Sequence, residues 1–279
     1  MKSLFILLLV LPTSLFAQAT MSCCATSPTS DFAMLASDSR FRSAHAEPLP
    51  FHFASQNGQW VSFKTSDGAE GHGFEIKSLK ESDKYLFVIH EWWGLNDYIK
   101  QEAERIQKEL GNVNVIALDL YDGKVATSQQ EAGKYMSEAK ENRIRAIIEG
   151  ALEYAGPKAK IGTIGWCFGG GWSLQSALTG GKQTVACVMY YGMPETDQTK
   201  LRALNSPVLG IFAGKDGWIT PAKVKEFEGA MKKASKRITV KMFDADHAFA
   251  NPSNPKFDKK ATAEAHRLAI EFLRTYLAK

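Results

Sequence analysis

The sequence predicts an α/β fold in which a mostly parallel central sheet carries helices on both faces. Two observations predict it. Short apolar runs such as Tyr85 to Ile89 and Val113 to Leu118 show no polar alternation, as expected of strands covered on both sides. Between such runs lie segments with helical spacing, and this alternation of strand and helix gives parallel sheets. With 279 residues, 44% hydrophobic and 23% charged, the chain is long enough to bury one full core. The formal charge of +4 is mild. Its basic residues are scattered except for Lys232, Lys233, Lys236 and Arg237, which suit a helix C-terminus, so no nucleic-acid partner is indicated.

Taken in order, residues 1–19 read as an export signal: Lys2, the apolar run Leu4 to Leu11, and the small-x-small Ala17-Gln18-Ala19 cleavage pattern. The run is too short to span a bilayer, so no integral membrane span is expected and the protein is placed in a periplasm or outside the cell. A lipoprotein anchored at Cys23 is the alternative, although Thr20-Met21-Ser22 matches the usual box poorly. The redox state of Cys23 and Cys24 is not legible, and Cys187, in an apolar run, reads as a buried free thiol. Residues 20–57, rich in Ser, Ala, Thr and Pro without a steady period, read as a linker or loosely ordered arm. The domain proper is expected over residues 58–279.

Gln59 to Lys64 and Gly71 to Lys77 flank Ser66-Asp67-Gly68 as a hairpin at the edge of the sheet. The run Tyr85 to Ile89 is followed by the loop His90-Glu91-Trp92-Trp93-Gly94, and Asp97 to Leu110 is a helix closed by Gly111. After the strand ending at Leu118, polar helical sequence runs from Ser128 to about Tyr154. Thr184 to Tyr190, Pro207 to Ala213 and Arg237 to Phe243 are further strands. Pro221 to Ala234 and Ala261 to Leu277 complete the helices.

The chemistry centres on Gly165-Trp166-Cys167-Phe168-Gly169-Gly170-Gly171, between the apolar Ile161 to Ile164 and the helical Trp172 to Leu178. That is the layout of a nucleophile elbow, G-x-S-x-G, with sulfur in place of the serine oxygen. A residue held in a cramped, often positive-φ turn needs neighbours without side chains. The helix N-terminus behind it favours a thiolate. A thiol needs a base and a group that orients the base. His247, in Asp244-Ala245-Asp246-His247-Ala248-Phe249 just after a strand, is the expected base, whereas His266 lies in the last helix and reads as a surface residue. Asp216, in Gly214-Lys215-Asp216 after another strand, is the expected orienting acid, and Asp244 and Asp246 read as loop residues. The backbone N–H groups of Phe168 and Trp92 would bind an oxyanion. Trp92, Trp93, Tyr121 and Phe249 are candidate walls of an apolar pocket, and each fits the core equally well. A zinc-protease H-E-x-x-H is excluded because Gly94 stands where the second histidine belongs.

Gly-Trp-Cys-Phe-Gly-Gly, the Glu91 loop, the Asp216 loop and Asp-His-Ala-Phe together resemble the dienelactone hydrolase family of α/β-hydrolases, across roughly residues 58–279. The resemblance implies the α/β-hydrolase fold and a Cys167-His247-Asp216 triad that needs no metal or organic cofactor. It also implies that Glu91 helps deprotonate the thiol when substrate arrives. Members that act on dienelactones carry a substrate-binding arginine four residues past the catalytic histidine, where this sequence has Asn251, and neither Arg143 nor Arg145 aligns as a replacement. The expected activity is hydrolysis of lactones or activated carboxylic esters, because a thiolate leaves more readily than an alkoxide. A peptide or thioester hydrolase on the same triad, and a non-catalytic binding protein that retains the fold, are the alternatives.

Overall fold

The computed structural model describes residues 27–277, so the expected export signal and the Cys23-Cys24 pair lie outside the described residues. Eight strands form one sheet in the order β1-β2-β4-β3-β5-β6-β7-β8. The strands β1 (Gly58–Lys64) and β2 (Glu70–Ile76) form the expected edge hairpin, and β2 continues antiparallel onto β4 (Asn114–Asp119). From β4 onward the strands are parallel: β3 (Lys84–Ile89), β5 (Lys160–Trp166), β6 (Thr184–Tyr190), β7 (Val208–Ala213) and β8 (Ile238–Phe243). The core of β3, β4, β5 and β7 is buried on both faces, which is why their sequences lack polar alternation.

The chain order reverses at β3, which pairs with β4 on one side and β5 on the other. Right-handed crossovers therefore send α3 (Asp97–Leu110) and α6 (Phe168–Gly180) to opposite faces. Helix α3 packs with α9 (Lys259–Leu277), and α6 packs with α5 (Glu141–Ala155). At such a reversal the loops diverge and leave a crevice at the carboxyl ends of the strands. Glu91 follows β3 and Cys167 follows β5, one on each side of it.

Two helical regions are finer than the sequence indicated. The helical sequence from Ser128 to Tyr154 is divided into two helices, α4 (Gln129–Glu138) and α5, because Ala139 and Lys140 take extended conformations between them. The loop between β6 and β7 also holds a short helix, α7 (Gln198–Ala203), ahead of α8 (Pro221–Lys233).

The larger correction concerns the arm. Within residues 27–57 the chain forms α1 (Pro28–Met34), a 3₁₀ turn over Leu35–Ser37 and α2 (Ser39–Ser43). Ser27 caps α1 by accepting from Ser30 N, and Asp38 caps α2 by accepting from Arg40 N. Phe32 and Phe41 are fully buried, and burying a phenylalanine side chain stabilises by about 1.5–3 kcal/mol. That is enough to hold helices too short to stand alone. The segment is tied down by Gln129 Nε2 donating to His45 O at 2.7 Å and by Ser27 bonding Glu141 of α5. Residues 46–57 have no regular element but are fixed at Phe53 N, which donates to Asp97 Oδ2, and at Phe51, stacked on Tyr98.

Candidate active site

Cys167 has φ 58° and ψ −118° and caps α6, the strained turn that an elbow requires. A side chain on Gly165 would overlap the Gly169 carbonyl, and one on Gly169 would overlap the carbonyls of Ile89 and His90. The two glycines, one in β5 and one in α6, thus let α6 approach β3 closely, which outweighs the roughly 1 kcal/mol that Gly169 costs inside a helix. All of Phe168 to Ala177 is buried, so the elbow rests on a rigid central helix.

The three expected side chains converge from the ends of β5, β7 and β8. His247 Nε2 lies 3.4 Å from Cys167 Sγ, and His247 Nδ1 lies 2.6 Å from Asp216 Oδ2. Because a carboxylate only accepts, Nδ1 carries the hydrogen and Nε2 presents a lone pair to the sulfur. Asp216 Oδ1 accepts from the backbone N–H groups of Trp218 and Ile219 at 2.8 and 2.9 Å. Burial pushes the Asp216 carboxyl up, but the His247 imidazole and these N–H groups win and hold it below its ordinary range. It stays charged and fixes the tautomer of His247.

Burial pushes the Cys167 thiol well up, reinforced by the Glu91 and Asp216 carboxyl groups and opposed by backbone hydrogen bonds from Phe168 and Trp92. Both N–H groups expected to bind an oxyanion therefore converge on the sulfur. Desolvation outweighs the helix N-terminus, so burial favours the neutral thiol over the thiolate before substrate arrives. Glu91 is the complementary group. Burial raises its carboxyl to about 7, against the lowering influence of His247 and an Asn251 hydrogen bond at 2.5 Å. A carboxyl ionising near neutral pH beside an elevated thiol is a proton acceptor in reserve. His90 fixes this loop, since its Nδ1 donates to Glu91 O at 2.6 Å and its Nε2 accepts from Leu120 N.

A cavity of about 420 Å³ opens beside the site, lined in part by Glu91, Trp93, Trp166, Tyr190 and Asn251. Trp93 is thus where the sequence suggested, whereas Tyr121 and Phe249 are not on this cavity. Phe249 is core, packed on Tyr191 and Phe243, because its loop turns inward at Ala248 (φ 59°). Tyr121 is buried against His90 and Phe168. Arg143 is taken up by Asp67 and Asp122, and Arg145 by Glu141 and Gln175, so neither serves the cavity. His266 is less exposed than expected, pairing with Glu109 and Arg105 on the cavity wall. Asp244 and Asp246 are loop residues paired with Lys215 and Lys256. Cys187 is a buried free thiol, as expected.

The residue that sequence reasoning missed is His45. It follows α2, is buried, and places Nε2 at 3.9 Å from Cys167 Sγ, while its Nδ1 meets Phe41 O at 2.7 Å. Burial, then the nearby His247, drives its imidazole down to about 3, so it is neutral. Phe41 stands edge-on to Trp92 and Trp218, each at 5.3 Å, with its ring 6.0 Å from that of His247. Phe41 has no exposed surface, and neither does Cys167. The sequence signal for this cover is a spaced set of residues, Phe32, Leu35, Phe41 and His45, in an arm rich in Ser and Ala.

The sequence matches the dienelactone hydrolase family over residues 75–277. It is 30% identical over 233 residues to the "Putative carboxymethylenebutenolidase" of Aquifex aeolicus (strain VF5), covering 79% of this chain and 99% of that one. It is 31% identical over 234 residues to the "Protein usf" of Aquifex pyrophilus, with the same coverage. Among solved structures, the "Putative Dienelactone Hydrolase" from Klebsiella pneumoniae superposes with a TM-score of 0.67 at 19% identity, covering 78% of this chain and 99% of that one, a likeness of fold. With its switch-point elbow and an eight-stranded, mostly parallel sheet, the chain has the α/β-hydrolase fold and belongs to the dienelactone hydrolase family of hydrolases.

Proposed function

We propose that the protein hydrolyses lactones or activated carboxylic esters through a thioester on Cys167. The observation that carries this reading is one continuous relay, Asp216 to His247 to Cys167 at 2.6 and 3.4 Å, with the Phe168 and Trp92 N–H groups aimed at the same sulfur. Substrate entry separates the thiol from its present neighbours. The thiol proton passes to His247 Nε2, directly or by way of Glu91, and the sulfur attacks the carbonyl carbon. The carbonyl oxygen, now an oxyanion, takes up the two N–H groups, each worth about 3 kcal/mol in the transition state of well-studied enzymes. Collapse of the intermediate breaks the carbon–oxygen bond, with His247 protonating the departing alkoxide. Water, activated by His247, then cleaves the thioester and restores the thiol.

The relatives' name carboxymethylenebutenolidase points to lactones as one substrate class. Asn251 faces Glu91, and among the described residues the arginine that lines the cavity, Arg105, is paired with Glu102, which favours neutral or weakly polar esters and lactones over acidic dienelactones. Replacing Cys167 by Ala is expected to abolish turnover of p-nitrophenyl acetate with the fold retained. Undiminished turnover overturns the reading. We also propose that the enzyme works outside the cytoplasm, on the strength of the export signal in residues 1–19. Cell fractionation with N-terminal sequencing tests this: a mature chain starting at Thr20 supports it, and an intact Met1 in the cytoplasm contradicts it.

A further inference from the structure

Cys167, His45 and His247 place one sulfur and two imidazole nitrogens within 4.8 Å of one another, and all three residues are buried. The hydrogen-bond roles of the two rings are the same. His247 Nδ1 donates to the Asp216 carboxylate and His45 Nδ1 donates to the Phe41 carbonyl. Each ring is thereby fixed in the tautomer whose Nε2 is a bare lone pair, and both lone pairs face Cys167 Sγ, at 3.4 and 3.9 Å. A thiol has one hydrogen to give. It satisfies one of the two, leaving the other nitrogen buried and without a donor, at a cost of about 1–3 kcal/mol.

We propose that these three side chains bind a thiophilic divalent cation of the Zn²⁺ type when the segment from α1 to His45 is closed over the triad. Sulfur with two imidazoles is a donor set suited to Zn²⁺. Tetrahedral zinc, with bonds of about 2.3 Å to sulfur and about 2.0–2.1 Å to nitrogen, needs S···N separations of about 3.5 Å. The two S···N separations bracket that value, and the two imidazole nitrogens, within 4.8 Å of each other, close toward the roughly 3.3 Å that tetrahedral bonds of that length set between them. The outer partners are also in place: carboxylate to histidine on one side and backbone carbonyl to histidine on the other, the arrangement that orients metal-bound imidazoles. Binding takes the proton from the Cys167 thiol and releases it to solvent, so one cation in exchanges for one proton out. Three protein ligands leave a fourth position to water.

Such a cation occupies the nucleophile and the base together, so the loaded form does not hydrolyse esters. It also bridges the cover, through His45, to the domain, through Cys167 and His247, and so latches the segment down. The inference does not depend on which ester the enzyme uses.

Anaerobic titration of the purified full-length chain with Co²⁺ tests it. The expected result is one equivalent bound, with a thiolate-to-cobalt charge-transfer band in the near ultraviolet and tetrahedral d–d absorption in the visible. Zn²⁺ is expected to bleach both bands by displacement. Cys167→Ser is expected to remove the charge-transfer band. His45→Gln keeps a polar side chain of similar size and is expected to weaken binding at least tenfold, since loss of an orienting partner alone costs about 10–100-fold. Circular dichroism of the metal-free variants establishes that they are folded. Absence of a thiolate band at excess Co²⁺ overturns the proposal, as does unchanged affinity in folded His45→Gln. The spectra are independent of turnover. A missing band leaves the hydrolase reading standing, and a bound metal in a protein that hydrolyses no ester leaves this inference standing.

Discussion

Asn251 donates its side-chain amide to Glu91 Oε2 at 2.5 Å, four residues beyond His247, and so holds the buried carboxylate beside the thiol. The position at which dienelactone-cleaving members carry an arginine is here engaged by the protein's own acid. Asn251 thus tunes Glu91 and, being neutral, itself adds no positive charge to the cavity wall it lines.

Replacing Asn251 by Ala removes one of the two influences that lower the Glu91 carboxyl. A hydrogen bond to a charged group is worth about 1.5–3 kcal/mol, so the acidic limb of kcat/KM against pH is expected to move upward by about one unit or more. A pH–rate profile of the variant checks this. An unmoved limb means that Glu91 does not control it.

Glu91 also links pH to stability. Its folded-state carboxyl ionises near 7 against an ordinary value of 4.5. Between those values the folded protein keeps a proton that the unfolded chain has lost, so stability falls as pH rises through that window. Above it the deficit is on the order of 3 kcal/mol. Glu91→Gln is therefore expected to be more stable than the parent at pH 8, by up to about that amount, with the gain shrinking toward pH 5. Urea unfolding at the two pH values measures it, while esterase activity should drop by roughly 10²-fold or more.

Asp216→Asn leaves a neutral side chain of the same shape but removes the charge that favours the productive tautomer of His247. Turnover of p-nitrophenyl acetate is expected to fall roughly 10³–10⁴-fold, as when the acid of a serine triad is neutralised. Single-turnover kinetics should place the loss in acylation.

Phe41→Ala loosens the cover at its tightest point, between Trp92 and Trp218. Truncating a buried phenylalanine costs about 3–5 kcal/mol, and here that loss falls on the closed position of a peripheral segment. Iodoacetamide labelling of Cys167, followed by peptide mass spectrometry, is expected to speed up roughly tenfold or more at constant pH. Buried Cys187 serves as the internal control. Unchanged labelling of Cys167 would show that Phe41 does not gate the thiol.

How much of this was legible in the sequence differs by element. Apolar runs and glycine stops located the parallel strands to within a residue or two, because all of them but β8 are largely buried and their composition records it. Asp97–Leu110 and Thr184–Tyr190 were read with the bounds observed. The convergence of Cys167, His247 and Asp216 was legible because a triad's members must sit at strand ends in a fixed chain order. The break at Ala139 and Lys140 was not, since neither residue is a helix breaker and nearby charge masks the change of axis. The cover was least legible. Helices of seven and five residues are too short to show a period, and what fixes Phe41 and His45 is a hydrophobic surface formed by Trp92, Trp218 and His247, far away in the chain. The thiol's protonation likewise depends on burial, which the cover completes.

Acid-quench mass spectrometry during turnover of p-nitrophenyl acetate tests the central claim most directly. An acetyl group on the peptide containing Cys167, sensitive to hydroxylamine and absent in Cys167→Ala, is the expected result. Steady turnover with the acyl group on another residue, or with no acyl-enzyme and full activity in Cys167→Ala, would contradict it.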